Sequence, residues 1–514
     1  VISLLMGAIL AADAAKNPVV WADVPDISIV RVGRDYYMSS TTMHMSPGLP
    51  IMKSRDLVHW KLVSYAYRRL GENDALNLQN GKNAYGKGSW ASSLRYHAGT
   101  FYVSVFSSTT DKTYVFTTKN PEKTPWKEVS FAPALHDHSL FFDDDGKVYM
   151  AYGAGDIRLA ELNPDLSGLK PGGVHEVIVP DASRVAGPNI GLKAEGTQLF
   201  KVNGRYYLCN IVWPRGGMRT QIVHRADRIT GPYEGRLMFQ DGGVAQGGIV
   251  DTPEGKWYAY LFQDRGAVGR IPYILPMRWN DDWPVVGENG KLPANLDIPA
   301  KGRPVAGIVS SDEFTGRALK LAWQWNHNPD DGHWSLRQRA GWLRLTTGRL
   351  DASVTQARNT ITQRTFGPEC VGTTSLDVSG MKDGDRAGLI ALMNRYAYVG
   401  VKMEGGAKSI VMVAKEGAEP VEMASVPVDA NRIFLKMACD FRDQADLVSF
   451  SYSLDGRAWT PIGKPHRLHY DLVHFMGCRF GLFNYATQSS GGYVDFDFFR
   501  VGEPSSSQNG VHRQ

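Results

Sequence analysis

Residues 196–213 read GTQLFKVNGRYYLCNIVW: an apolar strand, a turn around Gly204, an aromatic pair, and a second apolar strand. The same unit occurs four more times. It reads DISIVRVGRDYYMSSTT from Asp26, SSLRYHAGTFYVSVFSS from Ser92, HSLFFDDDGKVYMAYG from His138 and GGIVDTPEGKWYAYLFQD from Gly247. The turn glycines are Gly33, Gly99, Gly146, Gly204 and Gly255, each followed by a tyrosine (Tyr37, Tyr102, Tyr149, Tyr207 and Tyr258). Two short apolar runs around a Gly-bearing turn form a β-hairpin. The tyrosines are 65, 47, 58 and 51 residues apart, room for four strands and their loops in each interval. Five such units across residues 26–290 predict an all-β, five-bladed β-propeller.

The rest of the composition agrees. A chain of 514 residues holds about two to four domains at ~150 residues each. Hydrophobic residues are 43% and charged residues 21%, so a packed core is expected and general disorder is excluded. The net charge of +5 is carried by no long basic run, which argues against a nucleic-acid partner. Cys209, Cys370, Cys439 and Cys478 form no C-x-x-C pair, which excludes a zinc ribbon or thioredoxin motif; buried free thiols are expected. The apolar run Val1 to Leu10, followed by Ala12-Asp13-Ala14, has the form of a signal-peptide core and cleavage site. Residues 1–15 are therefore expected to be a leader remnant, and the protein to be exported. No other stretch has the ~18 apolar residues of a membrane helix, so no membrane partner is expected.

Counting back from the turn glycines gives one position per blade: Asp26, Trp90, Asp137, Glu195 and Gln246. Equivalent positions on the innermost strands of a propeller converge on one funnel. Three carboxylates would then share a small space, although clustering like charges costs energy unless protonation shifts. Glycoside hydrolysis needs such a set: one carboxyl to protonate the leaving oxygen and another to activate water or attack. A third can tune the donor. Trp90 offers an apolar platform for a sugar face, and Trp21, Trp213 and Gln246 are further candidates for sugar contact. The alternative is a hard cation held by the three acids. His136 and His138 flank Asp137 and are placed to tune it. No G-x-S-x-G elbow, H-E-x-x-H helix or P-loop competes.

At these residues the chain resembles glycoside hydrolase family 43, whose members are five-bladed propellers. NPVVWADVPDISIVRVGRDYYMSSTT is similar to the first-blade motif, which implies Asp26 as general base. HDHSLFFDDDGKVYMAYG resembles the third-blade motif and implies Asp137 as the pKa-modulating acid. AEGTQLFKVNGRYYL resembles the general-acid motif, with Glu195 as the acid. GSWASSLRYHAGTFYV brings Trp90 to the sugar pocket, and GRIPYILPMRWNDDWPVVG brings Arg270 there. The resemblance implies an inverting glycosidase that removes terminal pentoses, α-L-arabinofuranose or β-D-xylose or both. Its partner would be a plant cell-wall polysaccharide or oligosaccharide. No cofactor is implied. Some members carry a fifth-blade histidine associated with a central ion; Gln246 lies in that motif here, which weighs against a structural calcium.

Pro299 to Ser311 carries Pro, Gly and small residues and reads as a linker, so the propeller domain is expected over 16–300 and the linker over 301–311. From 312 to 502, apolar strands alternate with turn signals about every 8–12 residues, as in a β-sandwich. This half resembles the concanavalin-like sandwich of exo-acting members, in which a sandwich loop closes one side of the pocket. Trp323, Trp325 and Trp334 are expected in the core or the domain interface rather than in a glycan-binding strip. Residues 503–514 are expected to be a disordered tail. The competing readings are a non-catalytic glycan-binding relative, a retaining fructosidase and an endo-arabinanase.

Overall fold

The computed structural model describes residues 13–300 and 304–504. The apolar run 1–10, most of the tail and the start of the expected linker lie outside the described residues. Five four-stranded antiparallel sheets, each contiguous in sequence, make the propeller. Their first strands are Ser28–Val32, Ser92–His97, Ser139–Phe142, Ile190–Val202 and Ala245–Asp251. Neighbouring first strands pack against one another, the fifth against the first, so they line the axis. The expected hairpins form in register: Tyr37, Tyr149, Tyr207 and Tyr258 face Val30, Phe141, Phe200 and Val250.

A side-chain relay ties the inner strands together. Ser28, Ser93 and Ser139 each use Oγ to accept the backbone N–H of the next blade's Leu94, Leu140 and Leu199, at 2.9–3.0 Å. These hydroxyls satisfy amides that the blade's own ladder leaves open. The ring closes between blades 5 and 1 through a bidentate pair, Arg31 to Asp251, at 2.9 and 2.5 Å.

The first described residues pair with the end of the propeller. Asp13–Lys16 is a strand that pairs with Asn295–Ala300, and Ala15 is buried. The expected linker is also packed: Pro304–Gly307 is a 3-10 turn, Ile308 and Val309 are buried, and a Cβ at Gly307 would lie 2.0 Å from the Trp60 carbonyl.

The second half is a sandwich of two large antiparallel sheets. One of them recruits Met45–Ser46 from blade 1, which pairs with Gln324–Asn326. Backbone ladders thus run from one domain into the other. Trp323 and Trp325 are buried, and Trp325 packs on Trp334, as expected of core and interface residues. All four cysteines are buried and unpaired. Among the described residues no helix is long and apolar enough to cross a membrane.

Candidate active site

Two residues before the serine relay, the backbone turns into the left-handed region. Asp26 (φ 51°), Asp137 (φ 45°), Gly196 (φ 63°) and Gln246 (φ 61°) occupy this one register in four blades. The blade 2 counterpart is Ala91. A non-glycine residue in this conformation costs about 1–3 kcal/mol, and such strain collects at functional sites. The register corrects the count from the turn glycines: Trp90 and Glu195 lie one residue upstream of the strict equivalents, because the hairpins differ by one residue in length. Register shifts on both sides of Glu195 mark bulges, which re-aim a side chain.

The predicted residues do converge. Asp26, Trp90, Asp137, Glu195, Trp213, Gln246 and Arg270 line one cavity of about 1070 Å³ at the mouth of the propeller axis. Trp21 does not line it. Its backbone carbonyl accepts the Gly367 N–H at 2.8 Å and its ring lies under Arg265, so it serves the seam with the sandwich. Trp213 is 42% exposed at the rim, with the Arg219 guanidinium over its ring.

Asp26 is held on two sides. Thr41 Oγ1 donates to its Oδ2 at 2.6 Å, and Arg270 Nη1 lies 3.0 and 2.9 Å from its two oxygens. Both members of this ion pair are almost fully buried. On the other side of the cavity, Asp137 Oδ2 accepts the Gly196 N–H at 3.0 Å, and His136 Nε2 lies 3.2 Å from Glu195 Oε2. Burial pushes the Asp137 carboxyl up to about 7; His136 works against this, and the negative charges of Glu195 and Asp26 add to it. Burial lowers the His136 pKa, but its bond to Glu195 and the nearby Asp137 outweigh this and raise it. His138 turns away instead. Its Nδ1 meets the Leu135 carbonyl and its Nε2 meets Ser104 Oγ, both at 2.9 Å, and burial lowers it to about 4.

Two walls come from the sandwich, and residue counting along the propeller could not find them. Leu472 and Phe475 line the cavity. The Phe475 ring packs on Trp90 at 5.7 Å and under the Arg270 guanidinium at 4.4 Å. The segment YDLVHFMG that carries them has no repeat partner, so only the resemblance hinted at a closing loop.

The inner strands already carry a fixed cation. The Arg95 guanidinium reaches across the inner strands to Leu140 O (2.8 Å), Ser139 Oγ (2.7 Å) and Leu199 O (3.3 Å), and it lies over the Phe200 ring. A fixed cation there takes the acceptors a metal would need and repels it. His136, Asp137 and Glu195 do bring one ligating atom each within 4.8 Å of one another. Of these, His136 bonds Glu195, and Asp137 is held by the Gly196 N–H.

A five-bladed propeller with three carboxylates at its mouth, capped by a sandwich loop, defines a glycosidase of the two-domain kind. Comparison with known proteins agrees. The model of glycosyl hydrolases family 43 matches residues 15–284, and that of the β-xylosidase C-terminal concanavalin A-like domain matches 311–502. The chain belongs to glycoside hydrolase family 43. It is 59% identical to a bifunctional GH43-CE protein of Bacteroides eggerthii, with a TM-score of 0.95 over 96% of this chain. This chain spans 64% of that protein's length. An engineered GH43 enzyme with both endo-xylanase and exo-arabinofuranosidase activity is 32% identical, with a TM-score of 0.86, covering 96% of this chain and 100% of its own. A β-xylosidase of Formosa agariphila is 28% identical over 546 residues, 94% of this chain and 89% of its own.

Proposed function

We propose that this glycoside hydrolase removes single pentoses, α-L-arabinofuranose or β-D-xylose, from the non-reducing ends or side chains of plant cell-wall polysaccharides or their oligosaccharides. One observation carries the reading: three carboxylates share a cavity that Leu472 and Phe475 wall off on one side. A blocked side favours end-on entry of one sugar over passage of a polymer, which disfavours an endo-arabinanase. A glycan-binding relative would have no use for three acids at one cavity, two of them on strained backbone. Of the relatives named above, one is described by endo-xylanase and exo-arabinofuranosidase activity and one as a β-xylosidase, which supports the sugar class.

In this reading catalysis is a single displacement with inversion. Asp26 takes a proton from the attacking water while Glu195 protonates the leaving oxygen. Arg270 and Thr41 aim the Asp26 carboxylate. Asp137 and His136, both in contact with the Glu195 region, hold the proton supply for the acid. An inverting pair needs about 6.5–9.5 Å between carboxyls to seat the water. Trp90 and Phe475 face the bound sugar ring, and Trp213 lies at the rim where the leaving portion exits. No cofactor is needed, and the protein acts outside the cytoplasm.

The test is parallel assay of aryl α-L-arabinofuranoside and aryl β-D-xyloside, with the first-formed anomer read by NMR. Release of an inverted pentose supports the reading. Retention of configuration, or no release from either glycoside, would remove it.

A further inference from the structure

Three chain segments meet at one buried carboxylate behind the active site. Asp23 is 1% exposed. Its Oδ1 accepts the backbone N–H of Arg270 at 2.8 Å, and its Oδ2 accepts the backbone N–H of Gly477 at 3.0 Å. The first bond fixes the residue whose side chain pairs with Asp26. The second fixes the sandwich segment two residues after Phe475.

The surroundings leave little freedom. The Arg270 carbonyl accepts the Val24 N–H at 3.0 Å, so the Arg270 backbone is held at both ends. A Cβ at Gly269 would lie 2.3 Å from Asp23 Oδ1, and one at Gly477 would lie 2.3 Å from the Val268 carbonyl. Gly269 also sits at φ 102°, a conformation open chiefly to glycine. The Cys478 N–H donates to the Ala267 carbonyl at 2.8 Å, and Arg364 Nε donates to the Asp23 carbonyl at 2.7 Å. Asp23 does not itself line the cavity and reaches it only through the Arg270 backbone.

We propose that Asp23 is a positioning residue that joins the two domains' contributions to the sugar pocket, holding Arg270 of the propeller and the Phe475 segment of the sandwich in one register. This rests on the pocket reading given above. A shared carboxylate explains why Arg270 can both pair with Asp26 and stack on a ring supplied by another domain. Each N–H needs an acceptor once buried, and a single carboxylate oxygen serves each. Substituting one oxygen by an amide NH2 sets a donor against a donor and opens the seam from inside.

The experiment uses the full chain carrying Asp23→Asn, Phe475→Ala, and both together. Hydrogen exchange is followed by mass spectrometry, and kcat and KM are measured on the better aryl pentoside. In Asp23→Asn, exchange is expected to quicken at least tenfold in peptides covering 470–478, while peptides from blades 3 and 4 stay unchanged. Its kcat/KM is expected to fall about tenfold or more, mainly through KM. The same change in the Phe475→Ala background is expected to cost less than threefold, because the wall it positions is already gone. Unchanged exchange at 470–478, or full additivity of the two losses, would overturn the proposal. If Asp23→Asn does not accumulate folded, Gly477→Ala probes the same seam from the sandwich side and must quicken exchange in 470–478 and raise KM; failure to do so also overturns it. The exchange arm does not depend on which sugar is cleaved. An enzyme inactive on both pentosides but showing the exchange result would sink the functional reading and leave the role of Asp23 standing.

Discussion

Arg270 Nη1 bridges the two oxygens of Asp26, at 3.0 and 2.9 Å, at the wall of the cavity, with both side chains almost fully buried. Removing one member of a buried pair leaves an uncompensated charge, at a cost of about 3–5 kcal/mol. Arg270→Ala is therefore expected to lose activity by about a thousandfold and to lower the unfolding midpoint. Arg270→Lys keeps the charge but loses the planar second arm, whose Nη2 lies 3.4 Å from the Phe475 carbonyl. It should recover stability before it recovers activity. Steady-state kinetics beside thermal unfolding of the two variants checks this; an active Arg270→Ala would show that Asp26 needs no partner.

Glu195 is only partly shielded, with 22% of its side chain exposed, as a group that must reach a leaving oxygen should be. Glu195→Ala is expected to lose about 10²–10⁴-fold on pentosides with poor leaving groups, the range for general acid catalysis. Aryl glycosides with good leaving groups should lose much less. A leaving-group series on the variant gives the comparison, and equal small losses across it would reassign the acid.

The propeller was legible because its signal is repeated. Five hairpins with a Gly turn and a following Tyr name the blades, and axial symmetry then gathers Asp26, Asp137 and Glu195. The off-by-one at Trp90 and Glu195 was not legible, since hairpin length hides the true register until strand pairing is seen. Trp21 sits in the same motif as Asp26, but its ring turns to the sandwich, and aromatic character alone carries no direction. Phe475, Leu472 and Asp23 depend on contacts across hundreds of residues, for which a single sequence has no periodicity to read.

The acid cluster should show in the pH dependence. The Asp137 carboxyl is raised to about 7, by burial first, and it shares its surroundings with Glu195 and His136. As pH rises past about 7 the cluster loses the proton that must reach the leaving oxygen, so kcat/KM should fall on the alkaline side, about tenfold per unit. His136 lowers the Asp137 pKa by its charge. His136→Phe removes that charge and should move the alkaline limb to higher pH. A limb that stays in place, or moves down, would separate His136 from the cluster.

Chelation tests the axis. Arg95 is half-buried, and it spends its donors on Ser139 and the carbonyls of Leu94, Leu140 and Leu199. An enzyme whose axial cation is a side chain should keep its activity and unfolding midpoint after exhaustive dialysis against a chelator. Arg95→Met should destabilise it by leaving those acceptors bare, at about 1–3 kcal/mol for each lost buried bond. Complete loss of activity on chelation, restored by calcium, would contradict this reading.

Acid should open the domain seam first. His44, His327 and His474 lie together there, with ring centroids 4.6 Å apart for His44–His327 and 5.2 Å for His44–His474, against Tyr85. Burial lowers all three pKa values, His474 to about 4. Other histidines and the cations Arg358 and Arg479 add to this, while Asp471 opposes it at His474. A histidine whose folded pKa lies below its unfolded value is protonated first in the unfolded chain. Its stabilising effect is intact above about 6.5 and is lost as pH falls from there toward 4. For His474 alone the difference is worth about 3 kcal/mol. Urea unfolding at pH 7 and pH 4.5 should therefore show a steep loss of stability, smaller in His474→Gln, whose amide gains no charge. Because His474 directly precedes Phe475, hydrogen exchange in 470–478 should rise at pH 5 before that of blades 3 and 4; simultaneous loss of protection in both would place the acid-sensitive step elsewhere.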